Sequence, residues 1–162
     1  MLFRSGLRFG ERAVRLNPGA SLVHFGCGMA CLFLNRVDEA LAHYDADIKA
    51  SPGAPINFFN FTFQGNAYIR TGRWSEALTA LEHALALYTE NPLALIFKAV
   101  LYKRAGRAAE ARDLLLRTRH AERAGTYEVW EMNFKRAFVR SPNLEELLEH
   151  LRSLWADTET SA

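Results

Sequence analysis

The chain has 162 residues, 49% hydrophobic and 23% charged, with a formal net charge of +2 at pH 7, values that exclude a disordered polyelectrolyte and fit one globular domain. No stretch has the ~18 or more uncharged apolar residues a membrane-spanning helix needs, and two cysteines, Cys27 and Cys31, cannot make a disulfide framework. The N-terminal MLFRSGLRFGERAVRL interleaves four arginines with apolar residues and lacks the cleavage pattern of a secretory signal, so the expected location is cytoplasmic.

Leu2 to Leu16 reads as a helix ending at Asn17-Pro18, and its ERAVRLNPGA has the form of the second half of a hairpin without a first half. It either covers the next helices as a cap or is the edge of a longer protein. Leu2, Phe3, Leu7 and Phe9 favour the second, because a cap carries a polar outer face. Helices are expected next near Ser21 to Leu34 and Val37 to Ala50, before Ser51-Pro52-Gly53-Ala54-Pro55 breaks the chain. Phe58 to Leu87 holds a further pair, divided at Gly72, where a left-handed glycine can end a helix. Asn91-Pro92 opens another, Lys103-Arg104-Ala105-Gly106 closes it with positive charge that suits the helix dipole, and its partner runs from Ala108 to Ala121. Thr126 to Phe138 reads as a helix. Asn143, three residues before Glu146, predicts a capping box for a last helix through Trp155, striped by Leu144, Leu147, Leu148, Leu151 and Leu154.

A small/large code recurs through the middle of the chain. Asn35, Gly72 and Gly106 mark turns spaced by 37 and 34 residues, and Ala40, Ala77 and Ala111 follow each by five. Gly28, Gly65 and Ala99 are small positions of the first helices, followed three residues later by Cys31, Tyr68 and Tyr102, while Tyr44, Leu81 and Leu115 follow the alanines by four. Small residues allow two antiparallel helices to approach, and the bulky ones fill the space beside them. A joint about three residues longer at 51–55 accounts for the wider spacing.

This pattern resembles the tetratricopeptide repeat (TPR), a helix-turn-helix unit with a period of 34 residues. The resemblance implies an all-α fold, a right-handed TPR-type superhelix of about nine helices. Residues 1–17 form an incomplete leading repeat, 21–51, 56–88 and 92–121 three full ones, and 126–155 closing helices. It departs from the family pattern at Asp47 and Thr118, which stand where Ala84 is expected to recur. FVRSPNLEELLEHLRSLW, after such units, is also similar to the closing segment of bacterial regulators that join a class III adenylyl cyclase or winged-helix domain to a C-terminal TPR array. That second resemblance implies the regulatory or sensory part of a signalling enzyme or transcription regulator, self-association included.

In TPR arrays the first helices line a concave groove. The resemblance places there Leu22, Phe25, Met29, Leu32 and Phe33 from the first repeat. The second supplies Phe59, Thr62, Asn66, Ile69 and Arg70, and the third Leu93, Ile96, Val100, Lys103 and Arg104. Apolar anchors grading into basic residues suit a protein or peptide partner with an acidic segment, since arginine pairs with carboxylates. The N-terminal helix or a second copy of the chain, in a homo-oligomer, would cover the apolar part equally well. The clamp by which some TPR proteins hold a C-terminal carboxylate keeps only Asn66 here and is excluded.

No enzyme, metal or cofactor is expected. His24, Cys27 and Cys31 share a helix face but lack a fourth ligand, and free cysteine behaves as a small buried hydrophobe. Gly26-Cys27-Gly28 follows no strand, so it is not a dinucleotide loop, and no HExxH or Walker sequence is present. Residues 98–123 carry eight Lys or Arg against three acids, and 141–162 one against five, so the two segments can neutralise each other. Arg107, Arg112, Arg117, Arg119 and Arg123 would otherwise form a phosphate-binding patch, but without interleaved aromatics nucleic acid is disfavoured.

Overall fold

Three hairpin turns share one backbone device. In the computed structural model, which describes residues 2–19, 21–120 and 126–159, Asn35, Gly72 and Gly106 have φ of 60°, 71° and 76°. Each left-handed residue ends a helix. The N–H of the next residue then donates to the carbonyl five positions back: Arg36 to Cys31 at 2.8 Å, Arg73 to Tyr68 and Arg107 to Tyr102 at 2.9 Å. That same arginine leads the second helix and pairs with a glutamate three residues on, Glu39, Glu76 and Glu110 in turn. The pairs are exposed and add little stability, yet they form a repeated Arg-x-x-Glu that the small/large code does not reveal.

The turns join α2 (Ser21–Phe33) to α3 (Val37–Ala50), α4 (Asn57–Arg70) to α5 (Trp74–Leu87), and α6 (Pro92–Arg104) to α7 (Ala108–His120). With α1 (Leu2–Leu16) before them and α8 (Tyr127–Ala137) and α9 (Leu144–Glu159) after, the described residues hold nine helices and no strand. Helices within a hairpin approach where the code places a small residue. A Cβ on Gly28 would lie 2.4 Å from the Tyr44 ring, and one on Gly65 2.8 Å from Leu81. Ala99 and Leu115 hold the equivalent places in the third hairpin, and both are fully buried. Each first helix packs in turn on the second helix of the hairpin before it, α4 on α3 and α6 on α5, and the core runs along the stack as two buried clusters that meet at Tyr68 of α4.

Polar residues at the joints have specific partners. Asn91 accepts from the Ala94 N–H at 3.3 Å, with Pro92 in the first turn of α6, and its amide donates to Thr62 Oγ1 at 2.8 Å. Asp47, a carboxylate where the second hairpin has Ala84, accepts from Asn60 Nδ2 at 2.9 Å. That bond satisfies Oδ2, while Oδ1 is buried with no hydrogen-bond partner among the described residues.

The C-terminal part departs from the expected pattern. The capping box at α9 does not form: Asn143 turns its amide to the Ile69 carbonyl at 2.8 Å, and Glu146 pairs with Arg104. α9 packs on α6 and α7, as α6 packs on α4 and α5. It therefore stands where the first helix of a fourth hairpin would stand, and α8 is inserted ahead of it. The chain turns between them at Arg140, whose φ of 64° is left-handed. Expectations resting on the side chains of Leu2, Phe3 and Arg119, on Ala121 or on Arg123 lie outside the described residues.

Candidate functional site

The face formed by the first helices, α2, α4 and α6, divides into an open part and a filled part. On α2, Leu22 is 72% exposed and Phe25, Met29 and Phe33 are half-buried, while Leu32 is buried. Phe25 stacks 5.7 Å from Phe59 and 5.5 Å from Phe63 of α4, and Phe59 itself is 41% exposed. These rings make an accessible apolar surface. Beside it, Gly6 and Gly10 of α1 and Val23, Gly26, Cys27, Met29, Ala30 and Phe33 of α2 line an apolar cleft of about 440 Å³.

Six of the other residues expected in the groove are covered by the chain itself, while Leu93 is half-buried. Thr62, Asn66, Ile69, Arg70, Ile96 and Val100 are all 3% exposed or less. Arg70 donates from Nε to Asn66 Oδ1 at 2.9 Å, from Nη1 to the Val139 carbonyl at 3.0 Å and from Nη2 to the Ala137 carbonyl at 2.5 Å. The Ala137 carbonyl ends α8, where a helix attracts positive charge, and the Val139 carbonyl lies in the turn after it. Burial brings the Arg70 pKa down to about 10, so the guanidinium stays charged at neutral pH and its acceptors compensate its desolvation. Asn66 adds a second bond to the Ala137 carbonyl at 3.2 Å. Further along, Phe97 of α6 meets Phe134 and Phe138 with ring centroids 5.4 and 5.2 Å apart.

The charge at the end of the groove is likewise engaged. Lys103 pairs with Asp157, and Arg104 pairs with Glu146 while lying 4.0 Å over the Trp74 ring. The basic and acidic segments thus partly neutralise each other, as their composition allows. Arg107 and Arg117 of the nucleic-acid patch are also paired, with Glu110 and Glu90. The roles of Asn143, Phe134, Phe138 and the cleft glycines are not evident in the sequence; Gly6, Gly10 and Gly26 inside helices are the signal that points to the cleft.

The polar groups under α1 and α2 are arranged for packing. His24 Nε2 lies 3.0 Å from the Pro18 carbonyl and must donate to it, which leaves Nδ1 to accept from His43 Nδ1 at 3.3 Å. Burial, and next the charge of His24, lower the His43 pKa. Burial pushes the Cys31 thiol up to about 11, and burial with Glu11 raises that of Cys27. Neither thiol is a ready nucleophile at neutral pH. Among the described residues no group of three or more His, Cys, Asp or Glu is placed to hold a metal ion, and no helix is long and apolar enough to cross a membrane.

Comparison with known proteins agrees with this architecture. Residues 8–55 and 68–128 each match a family model described as tetratricopeptide repeat. Sperm-associated antigen 1 of Rattus norvegicus is 32% identical over 97 residues, covering 60% of this chain but only 10% of that protein. Among solved structures, MamA superposes with a TM-score of 0.66 at 14% identity, over 98% of this chain and 90% of MamA. A Cut9 and Hcn1 assembly of the APC/C gives 0.71 at 12% identity, over 96% and 29%. YrrB, described as a TPR protein with an unusual peptide-binding site, gives 0.60 at 17% identity, over 96% and 79%. At these identities the structures establish the fold alone.

Proposed function

Because this chain is an all-α solenoid of tetratricopeptide repeats, we propose that it is a protein-interaction scaffold that takes a partner segment on the open, α2 end of its first-helix face. The observation that carries this reading is the division of that face. Phe25 and Phe59 offer a half-open aromatic surface, whereas the equivalent parts of α4 and α6 are buried beneath α8 and the turn after it. Exposed aromatic residues in a shallow depression are what anchor a bound peptide. A protein of the same fold, YrrB, is described as having a peptide-binding site, which supports the class of ligand.

An acidic segment in the partner does not meet Arg70, Lys103 or Arg104 in the free chain, because all three are occupied. The reading is tested with a displayed library of peptides panned on the immobilised chain. Phe59→Asp, at a half-exposed position stacked on Phe25, is expected to lower the melting temperature by about 2–6 °C without loss of cooperativity and to weaken the enriched peptides at least about tenfold, since it puts a charge where an apolar anchor must sit. Undiminished binding moves the site elsewhere.

A further inference from the structure

The cations of α4 and α6 do not have equivalent partners. Lys98, Lys103 and Arg104 each pair with a carboxylate, Glu82, Asp157 and Glu146 in turn. Arg70 is more deeply buried than any of them, yet among the described residues it makes no ion pair. Its acceptors are one side-chain amide and two backbone carbonyls, all uncharged. They satisfy its hydrogen bonds and leave its charge without a counter-ion.

There is room for one. A void of about 20 Å³ lies against Arg70 and Asn66, between Met29 and Phe33 of α2 and Ala137 of α8. One water molecule needs roughly 10–15 Å³, so the small side chain at Ala137 leaves space beside the guanidinium for a somewhat larger polar group. α8 is an imperfect cover in two further respects. It buries the Trp130 indole N–H with no acceptor among the described residues, and the turn after it passes through Arg140 at φ 64°, a conformation that a side chain disfavours. Nor does the stack depend on α8 for its closure, because α9 packs directly on α6 and α7.

We propose that the face of α4 and α6 beneath α8 is a second partner site, closed by α8 in the free chain and taken in its place by a partner helix that sets an aspartate or glutamate against Arg70 and an aromatic residue on Phe97. The reading of the chain as an interaction scaffold is its premise. α8 itself displays the pattern such a helix must match: Phe134 and Phe138 meet Phe97, and Ala137 stands at Arg70, so the partner carries an acid three residues after one aromatic and next to another. The acid is what gives the partner its advantage. A ligand displaces a resident segment only through an interaction that the segment lacks, and α8 has no anion to offer the buried guanidinium. Glu131 of α8 is paired with Lys135, and Glu128 lies in the first turn, at the opposite end of the helix from Ala137.

The test uses the intact chain and three labelled peptides with the sequence of residues 126–140: unmodified, with Ala137→Asp and with Ala137→Asn. The Ala137→Asp peptide is expected to bind at least about tenfold tighter than either of the others, since only it adds a charged pair, and the unmodified one must displace an identical tethered segment. Its binding should quicken amide exchange across α8 of the chain and leave α5 unchanged. On the Arg70→Met chain all three peptides should bind alike. Ala137→Asp in the chain itself supplies the missing anion in place, so that variant should melt no lower than the parent and lose the peptide at least about tenfold. Equal binding of the Asp and Asn peptides to the parent overturns the proposal, and so does a lower melting temperature of the Ala137→Asp chain, because the void then does not accept a carboxylate. Self-association of the parent that disappears in the Ala137→Asp chain, without peptide binding, gives the face to a second copy and overturns it too. Phe59→Asp should leave the peptide affinity within about twofold, as a site apart from α2 requires. A tenfold loss there puts the peptide on α2 and overturns the second site while the scaffold reading stands. If none of the three peptides binds, the second site falls, whereas the scaffold reading falls only if the displayed library also yields nothing.

Discussion

Ala77→Arg is expected to abolish cooperative unfolding of the chain near its parent midpoint. Ala77 is fully buried, and its carbonyl lies 3.6 Å from where a Gly65 side chain would begin, so α4 and α5 are in near contact there. A guanidinium cannot fit that gap and has no acceptor within it, which combines overpacking with an unpaired buried charge. Such a combination costs more than about 4 kcal/mol, against a total stability on the order of 5–15 kcal/mol for a domain. Because the middle hairpin contacts its neighbours on both sides, the loss reaches the whole stack. Circular dichroism on heating or in urea reads it directly, and an unchanged midpoint would show that the small/large register is misplaced.

Arg70→Met tests the other large contribution, the attachment of the C-terminal segment. Two effects oppose each other. Removing the guanidinium relieves the desolvation that lowers its pKa, but it strands Asn66 Oδ1 and the Ala137 and Val139 carbonyls, all three of which it holds. Charged hydrogen bonds contribute ~1.5–3 kcal/mol each, and the stranded acceptors keep only the partial compensation of Asn66 Nδ2 on Ala137, so the loss should win by about 2–4 kcal/mol. Arg70→Lys should fall between, since an ammonium cannot span three acceptors in one plane. Urea unfolding gives the magnitude, and amide exchange should quicken first across residues 130–155. A loss below about 1 kcal/mol would mean that the segment is held by its apolar contacts alone.

The fold was legible in the sequence where its signals are local. Asn35, Gly72 and Gly106 could be read because a left-handed residue after a helical pattern acts within a few positions, and Gly28 and Gly65 because their large partners recur at fixed spacing. The division of the first-helix face was not legible. Arg70 reads as a free cation on a helix, and its acceptors at Ala137 and Val139 are 67 and 69 residues away, on a segment where the code has lapsed. The same distance hides the pairing of Phe97 with Phe134 and Phe138, which in sequence are ordinary members of apolar stripes. Asn143 and Glu146 have the spacing of a capping box, but better partners on α4 and α6 take both side chains. Periodicity identifies which face of a helix is apolar and leaves open what covers it.

α8 and the turn after it fill the face of α4 and α6 and leave that of α2 open, and hydroxyl-radical footprinting of the native chain measures this division residue by residue. Rapid modification is predicted for Met29, Phe25 and Phe59, with Ile96, Phe97, Phe134 and Phe138 protected until the chain unfolds. Modification of Phe97 and Phe134 as fast as that of Phe59 under native conditions would contradict it.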